Sequence, residues 1–172
     1  MCRILLLCFA ILCVGGMSRS AQVPQVHVEP SLSSSSGKLQ EQTRDAVIRD
    51  YLQSWQDMSA AFEQNRAVLL EAEFVGIAKE KLANAIQQQT RVGIRTRYAV
   101  RSHDLQVVFS SPEGLSVELS DKVAYDLQLI DHDKVIATQQ MKSMYVVVLT
   151  PAETRWRVRV FQAIAKDEMP AN

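Results

Sequence analysis

The stretch that decides the fold is Val135–Ile164, VIATQQMKSMYVVVLT-PAE-TRWRVRVFQAI. It reads as two long strands, Val135–Thr150 and Thr154–Ile164, joined by the turn Pro151-Ala152-Glu153. In the returning strand Trp156, Val158 and Val160 alternate with Arg155, Arg157 and Arg159. Strand side chains point to opposite faces with period two, so this strand has one dry face and one wet face. Across the turn, Met144, Val146 and Val148 are expected opposite Trp156, Val158 and Val160. Tyr145, Val147 and Leu149, apolar at the other parity, then fall on the outer face beside Arg157 and Arg159. An apolar strip rimmed by arginine suits self-association or a partner, or a strand covered on both faces by its own chain.

Upstream the period-two pattern continues. Ile94, Tyr98 and Val100 are apolar at even positions, and Leu105, Val107 and Phe109 at odd ones. One extra residue around Ser102-His103-Asp104, a β-bulge, keeps both sets on one face. Pro112-Glu113-Gly114 turns the chain, and Leu115, Val117, Leu119, Val123, Tyr125, Leu127 and Leu129 keep odd parity through one long strand. At about sixteen residues that strand far exceeds the usual length and must curve. Asp131-His132-Asp133-Lys134 leads back to Val135. The expectation is a long, strongly bent four-stranded antiparallel meander.

A dry sheet face needs a cover, and the first half of the chain supplies helices. Val47, Ile48, Tyr51, Trp55, Met58 and Phe62 recur at three- and four-residue steps between Lys38 and Asn65. Val68, Ala72, Val75, Ala78, Leu82 and Ile86 do the same between Arg66 and Arg91, where Gly76 splits a short helix from a longer one. Gly93 suits the helix end. The fold class is α+β, with two or three N-terminal helices on the meander.

Residues 1–20 carry the marks of a signal peptide: Arg3, the apolar run Ile4–Val14, and small Ser18 and Ser20 before a cut at Ala21. Retained, the same segment would anchor the protein to a membrane. Residues 21–37, with Pro24, Pro30 and Ser33–Ser36, read as a linker, 38–165 as the domain, and 166–172 as a C-terminal tail. The 3 cysteines, Cys2, Cys8 and Cys13, all lie in the leader, so the processed chain has no disulfide, thiolate metal site or cysteine nucleophile. Processing also removes Arg3 and Arg19, leaving 17 basic residues against 19 acidic, net −2. That balance speaks against nucleic acid as a partner.

Candidate chemistry is sparse. His132 between Asp131 and Asp133 has suitable metal-ligand types but sits in a turn with no second histidine near it, and reads as a solvated turn. His103 at the inferred bulge is the candidate general base, although Asp104, its neighbour on a strand, points the other way. Arg95, Arg97 and Arg101, with Arg155, Arg157 and Arg159, take the non-core parity and read as cross-strand partners of Glu118 and Asp126 on a solvated sheet. Tyr51 and Trp55 are core residues that can also line a pocket. No metal or cofactor is called for.

Helices first, then long strands, with Trp156-Arg157-Val158 in the last, resembles the nuclear transport factor 2-like superfamily, a cystatin-like α+β roll, over about residues 38–165. The resemblance implies a concave sheet folded around the first helix, a pocket at its open end, and dimers through the outer sheet face. It implies no single activity. In isomerases of that superfamily a carboxylate base works opposite a hydroxyl donor. Here Tyr98 and Tyr125 share core parity, Asp126 does not, and no carboxylate is placed in the pocket, which counts against an enzyme.

The sequence thus leads to an exported, periplasmic or extracellular, non-catalytic binding or assembly module. It is expected to be a homodimer through Tyr145, Val147, Leu149, Arg157 and Arg159, with an envelope protein or a small apolar ligand as further partners. The alternatives are an isomerase- or cyclase-type enzyme with a pocket lined by Tyr51, Trp55, Tyr98 and Tyr125, and a membrane-tethered part of an envelope secretion assembly.

Overall fold

The computed structural model describes residues 23–29 and 39–164. The leader, most of the linker and the tail lie outside the described residues. The elements are β1 (Gln25–Val28), α1 (Glu41–Gln64), a 3₁₀ turn (Ala67–Leu70), α2 (Gly76–Arg91), β2 (Arg95–Ser110), β3 (Val117–Asp131), β4 (Lys134–Pro151) and β5 (Trp156–Ile164). The helices pack on one mixed sheet of order β1-β2-β3-β4-β5. The four antiparallel strands of the meander are present, but a fifth joins them. Gln25–Val28, read as linker, pairs in parallel with Ser102–Leu105. All four of its side chains are exposed, so no buried face marks it in the sequence.

The apolar stripe of α1 builds the core. Val47, Tyr51, Trp55, Met58, Ala61 and Phe62 are buried, with Leu70 and Phe74 from the following segment. They meet Leu105, Val107, Leu119, Val123 and Tyr125 on the sheet. The helix ends at Asn65, in the left-handed conformation at φ 53°, whose N–H turns back to the carbonyls of Ala61 and Phe62. Gly76, at φ 54°, opens α2 where the chain was expected to break.

The sheet contains register shifts. Arg101 has no partner between Val100 and Ser102, the bulge expected two residues later, and Val108 is skipped in the same strand. His103, Leu105 and Val107 therefore share the buried face.

Parity in β4 is the reverse of the expectation. Tyr145, Val147 and Leu149 are 8%, 0% and 0% exposed and belong to the core. Leu149 lies opposite Val158, and Met144, Val146 and Val148 take the other face. The cause is the turn. It spans Ala152–Arg155, closed by Ala152 N–H to the Arg155 carbonyl at 2.8 Å, one residue longer than the three expected. An odd change in loop length flips every side chain. Arg159 then bulges from β5, so Phe161 rather than Val160 packs on the core.

The outer-face dimer surface therefore does not exist as expected. Its three apolar members are inside. Arg157 donates through Nη2 to the carbonyls of Glu71 and Phe74, and Arg159 stands exposed.

Candidate functional site

Three elements, α1, β2 and β3, converge on a buried polar cluster. Tyr51 and Trp55, one helical turn apart, project from α1 onto the sheet. Trp55 Nε1 donates to Tyr51 Oη at 2.7 Å, and Tyr51 Oη donates to Asp121 Oδ2 at 2.7 Å. His103 Nδ1 lies 2.8 Å from the same Oδ2. Asp121 is 0% and His103 3% exposed. Against a carboxylate, which only accepts, Nδ1 is the donor, and in the neutral imidazole Nε2 then presents a lone pair. No protein group bonds Nε2 among the described residues. Asp121 Oδ1 is buried and likewise has no hydrogen-bond partner among them.

His103 reaches a cleft of about 840 Å³. Trp55, Tyr98, Val100 and Leu52 give it an apolar lining, Arg97, Arg101, Glu63 and Asp126 are its charged groups, and Val23, Pro24 and Val26 close one side. The charges are matched. Arg97 holds Glu63 Oε1 through Nη2 and Nε at 2.6 and 2.9 Å, and Arg101 stands 3.5 Å from Asp126. The cleft is therefore open, with an aromatic and apolar wall, paired charges, the polar side chains of Gln56, Ser59 and Gln128, and one imidazole.

Trp55 is the hub of the aromatic packing. Its ring centroid is 5.4 Å from His103, 6.4 Å from Tyr98, 6.1 Å from Tyr125, 5.4 Å from Tyr145 and 5.5 Å from Phe161. These are edge and tilted contacts of the favourable kind. Burial, and next the neighbouring Tyr125, push the Tyr98 phenol up to about 12. Burial raises Tyr145 further, with help from its bond to Tyr125, and raises Tyr51, beside the Asp121 carboxylate. All three phenols stay protonated, and so able to donate, at neutral pH.

Of the expected pocket residues, Trp55 and Tyr98 line the cleft. Tyr51 and Tyr125 lie behind it in the core, Tyr51 as the link to Asp121 and Tyr125 paired to Tyr145 at 3.3 Å between hydroxyls. His103 is in the cleft wall, oriented from across the sheet by Asp121 rather than by Asp104. The expectation of no carboxylate in the pocket is overturned by Glu63 and by Asp126, which lines the cleft instead of facing outward, and Asp121 lies buried behind the cleft wall. It sits at odd parity between Leu119 and Val123, and that parity alone could have revealed it.

The remaining candidates are surface features. His132 and Asp133 form a two-residue hairpin turn, both at positive φ, and His132 Nδ1 lies 2.6 Å from Asp131. Arg95 pairs with Asp133 at 2.5 Å, and Arg155 with the buried Glu73. The arginine stripe is thus partnered mainly by helices and turns, and by Asp126 alone of the two acids expected. Among the described residues no group of three or more histidine, cysteine and carboxylate side chains could hold a metal ion. Among the described residues no helix is long and apolar enough to cross a membrane.

No protein-family model matches the chain. No curated protein matches it. Among solved structures it is similar to the crystal structure of the intermembrane space region of the chloroplast protein ARC6, at TM-score 0.62 and 14% identity, over 75% of this chain and 99% of that one. At that identity the likeness shows the fold alone.

Proposed function

We propose that the cleft binds a small apolar molecule and that His103, held by Asp121, moves a proton on it. The observation that carries this is the 2.8 Å contact between His103 Nδ1 and Asp121 Oδ2, with the same imidazole in the cleft wall. A carboxylate that fixes the tautomer leaves Nε2 free to act as general base. The matching reaction is isomerisation of a ketone. On a β,γ-unsaturated ketone Nε2 takes a proton from the carbon between the carbonyl and the double bond, and the imidazolium returns it to the far carbon of the resulting dienolate, so the double bond moves into conjugation and no co-reactant is needed. Tyr98, protonated and in the same cleft, is the donor available to the carbonyl oxygen.

Helices followed by long strands support placing the chain with the nuclear transport factor 2-like superfamily. The leader-like N-terminus and the fold shared with an intermembrane-space region support a compartment outside the cytosol.

The test is deuterium uptake from heavy water into a panel of cyclic enones, read by mass spectrometry. Wild-type protein should accelerate exchange in at least one, and His103→Gln should abolish it. A wild type that exchanges none, in a protein that retains its fold, would leave the cluster as a structural brace and sink the catalytic reading.

A further inference from the structure

The strand edges of this sheet are covered unequally. The outer edge of β5 is met at Val158 alone by the segment before α2: Val75 N–H bonds the Val158 carbonyl at 2.9 Å, and Val158 N–H bonds the Glu73 carbonyl at 2.8 Å. The edge of β2 is partly covered by β1. In β4, β5 covers only Met144–Pro151. Residues Lys134–Ser143, except Ile136, which bulges, pair with β3 on one side and, among the described residues, with nothing on the other.

That stretch reads KVIATQQMKS. From Lys134 to Gln140 its side chains are exposed on both faces, with Val135 at 42% and Ile136 at 57%. β-Branched Val135, Ile136 and Thr138 favour a strand that no buried face explains. The protections usual on a free edge are few: it has no proline, no glycine and no acid, its only charges are Lys134 and Lys142 near its ends, and the bulge at Ile136 is its one departure from a regular strand. The regular free run Ala137–Ser143 spans about 23 Å, long for an edge left to solvent.

We propose that this edge pairs with the same edge of a second copy, antiparallel about a two-fold axis, joining two sheets into one. Such an axis stands perpendicular to the sheet, so residues of one face meet residues of the same face. With the axis at Gln139, Ala137 lies opposite Met141 of the second copy, Thr138 opposite Gln140, and Ile136 opposite Lys142. Lysine never faces lysine, and the pairing from Ile136 to Lys142 stops short of Met144, where β5 takes over the edge. The competing occupants are the chain's own residues 165–172, which follow β5 directly, and an extended segment of another protein.

The test is the mass of the purified protein by light scattering, with two variants and one truncation. Wild type should be a dimer. Gln139→Lys, which sets two lysines face to face, should weaken it by more than about tenfold while the far-ultraviolet spectrum stays unchanged. Gln139→Cys, with Cys2, Cys8 and Cys13 replaced by serine, should form a disulfide-linked dimer on oxidation. A chain ending at Ile164 should remain dimeric. A monomeric wild type, or a dimer indifferent to Gln139→Lys, overturns the proposal. A monomer that dimerises only after truncation assigns the edge to the chain's own tail. None of these outcomes depends on the chemistry of His103.

Discussion

Tyr51 Oη and Asp121 Oδ2, 70 residues apart in sequence, meet at 2.7 Å in the centre of the core. This bond fastens α1 to β3. It also completes a relay in which the Trp55 indole, the Tyr51 phenol and the His103 imidazole all depend on one carboxylate.

Removing the phenol tests the brace. Tyr51→Phe deletes an acceptor for Trp55 and a donor to Asp121, leaving buried polar atoms without their partners. The expected loss is about 1–3 kcal/mol of folding stability, read from urea unfolding. A change under about 0.5 kcal/mol would mean the bond contributes nothing net.

The carboxylate sets the imidazole tautomer. In Asp121→Asn the side chain keeps its shape but can turn its amide towards His103, which then favours the Nε2–H form. Nitrogen NMR of His103 should show Nδ1 moving from the protonated to the bare signature. Any proton-transfer activity should fall by about 10²- to 10⁴-fold, with binding of a cleft ligand retained. An unchanged tautomer would remove Asp121 from the positioning role.

The tyrosines impose an alkaline limit. The Tyr98 phenol is raised from 10.0 to about 12 in the folded chain, so between those values the unfolded chain loses a proton that the folded chain keeps. The unfolded state then binds fewer protons, and stability falls as pH rises. It is fully present below pH 10 and is lost towards pH 12 and beyond, with Tyr51 and Tyr145 acting in the same sense. Tyrosinate absorbance should appear together with unfolding, and Tyr98→Phe should move that transition to higher pH. Titration of these phenols in a chain that stays folded would contradict it.

Gly76 tests the backbone at the start of α2. Its φ of 54° is left-handed, and a Cβ there would meet only Arg159 Cγ at 3.8 Å, an ordinary contact. Gly76→Ala should therefore cost the conformational term alone, about 1–2 kcal/mol in thermal or urea unfolding. A much larger loss would point to a clash that this spacing does not contain.

The strands were legible because their apolar alternation is long and the turns between them are marked. Helix α1 and the part of α2 from Gly76 onward were legible from their stripes, but Val68 and Ala72 are exposed, because the chain before Gly76 is a 3₁₀ turn and irregular backbone that buries Leu70 and Phe74 instead. The parity of β4 was not, because it depends on whether Pro151 or Ala152 begins the turn, and both faces of that strand are apolar. The strand β1 was hidden because it buries no side chain and is held by its backbone. In the candidate site, His103 was visible through the bulge that turns it inward. Asp121 was visible only to strict counting along β3, since an acid in a hydrophobic series is easily taken for the wet face. The bond that joins these two across the sheet needed the register itself.

The pair of backbone hydrogen bonds between Val158 and the segment Glu73–Val75 carries a consequence for synthesis. That segment leaves the ribosome long before residue 158 does, yet its backbone partners lie in the last strand. Helices and early hairpins can form locally as they emerge, but the stretch between them stays unfastened until the chain is nearly finished. Contacts this distant in sequence are slow to close and are the natural last step of folding. A chain cut short before Val158 should leave Phe74 and Glu73, both buried in the complete protein, open to water and to proteases.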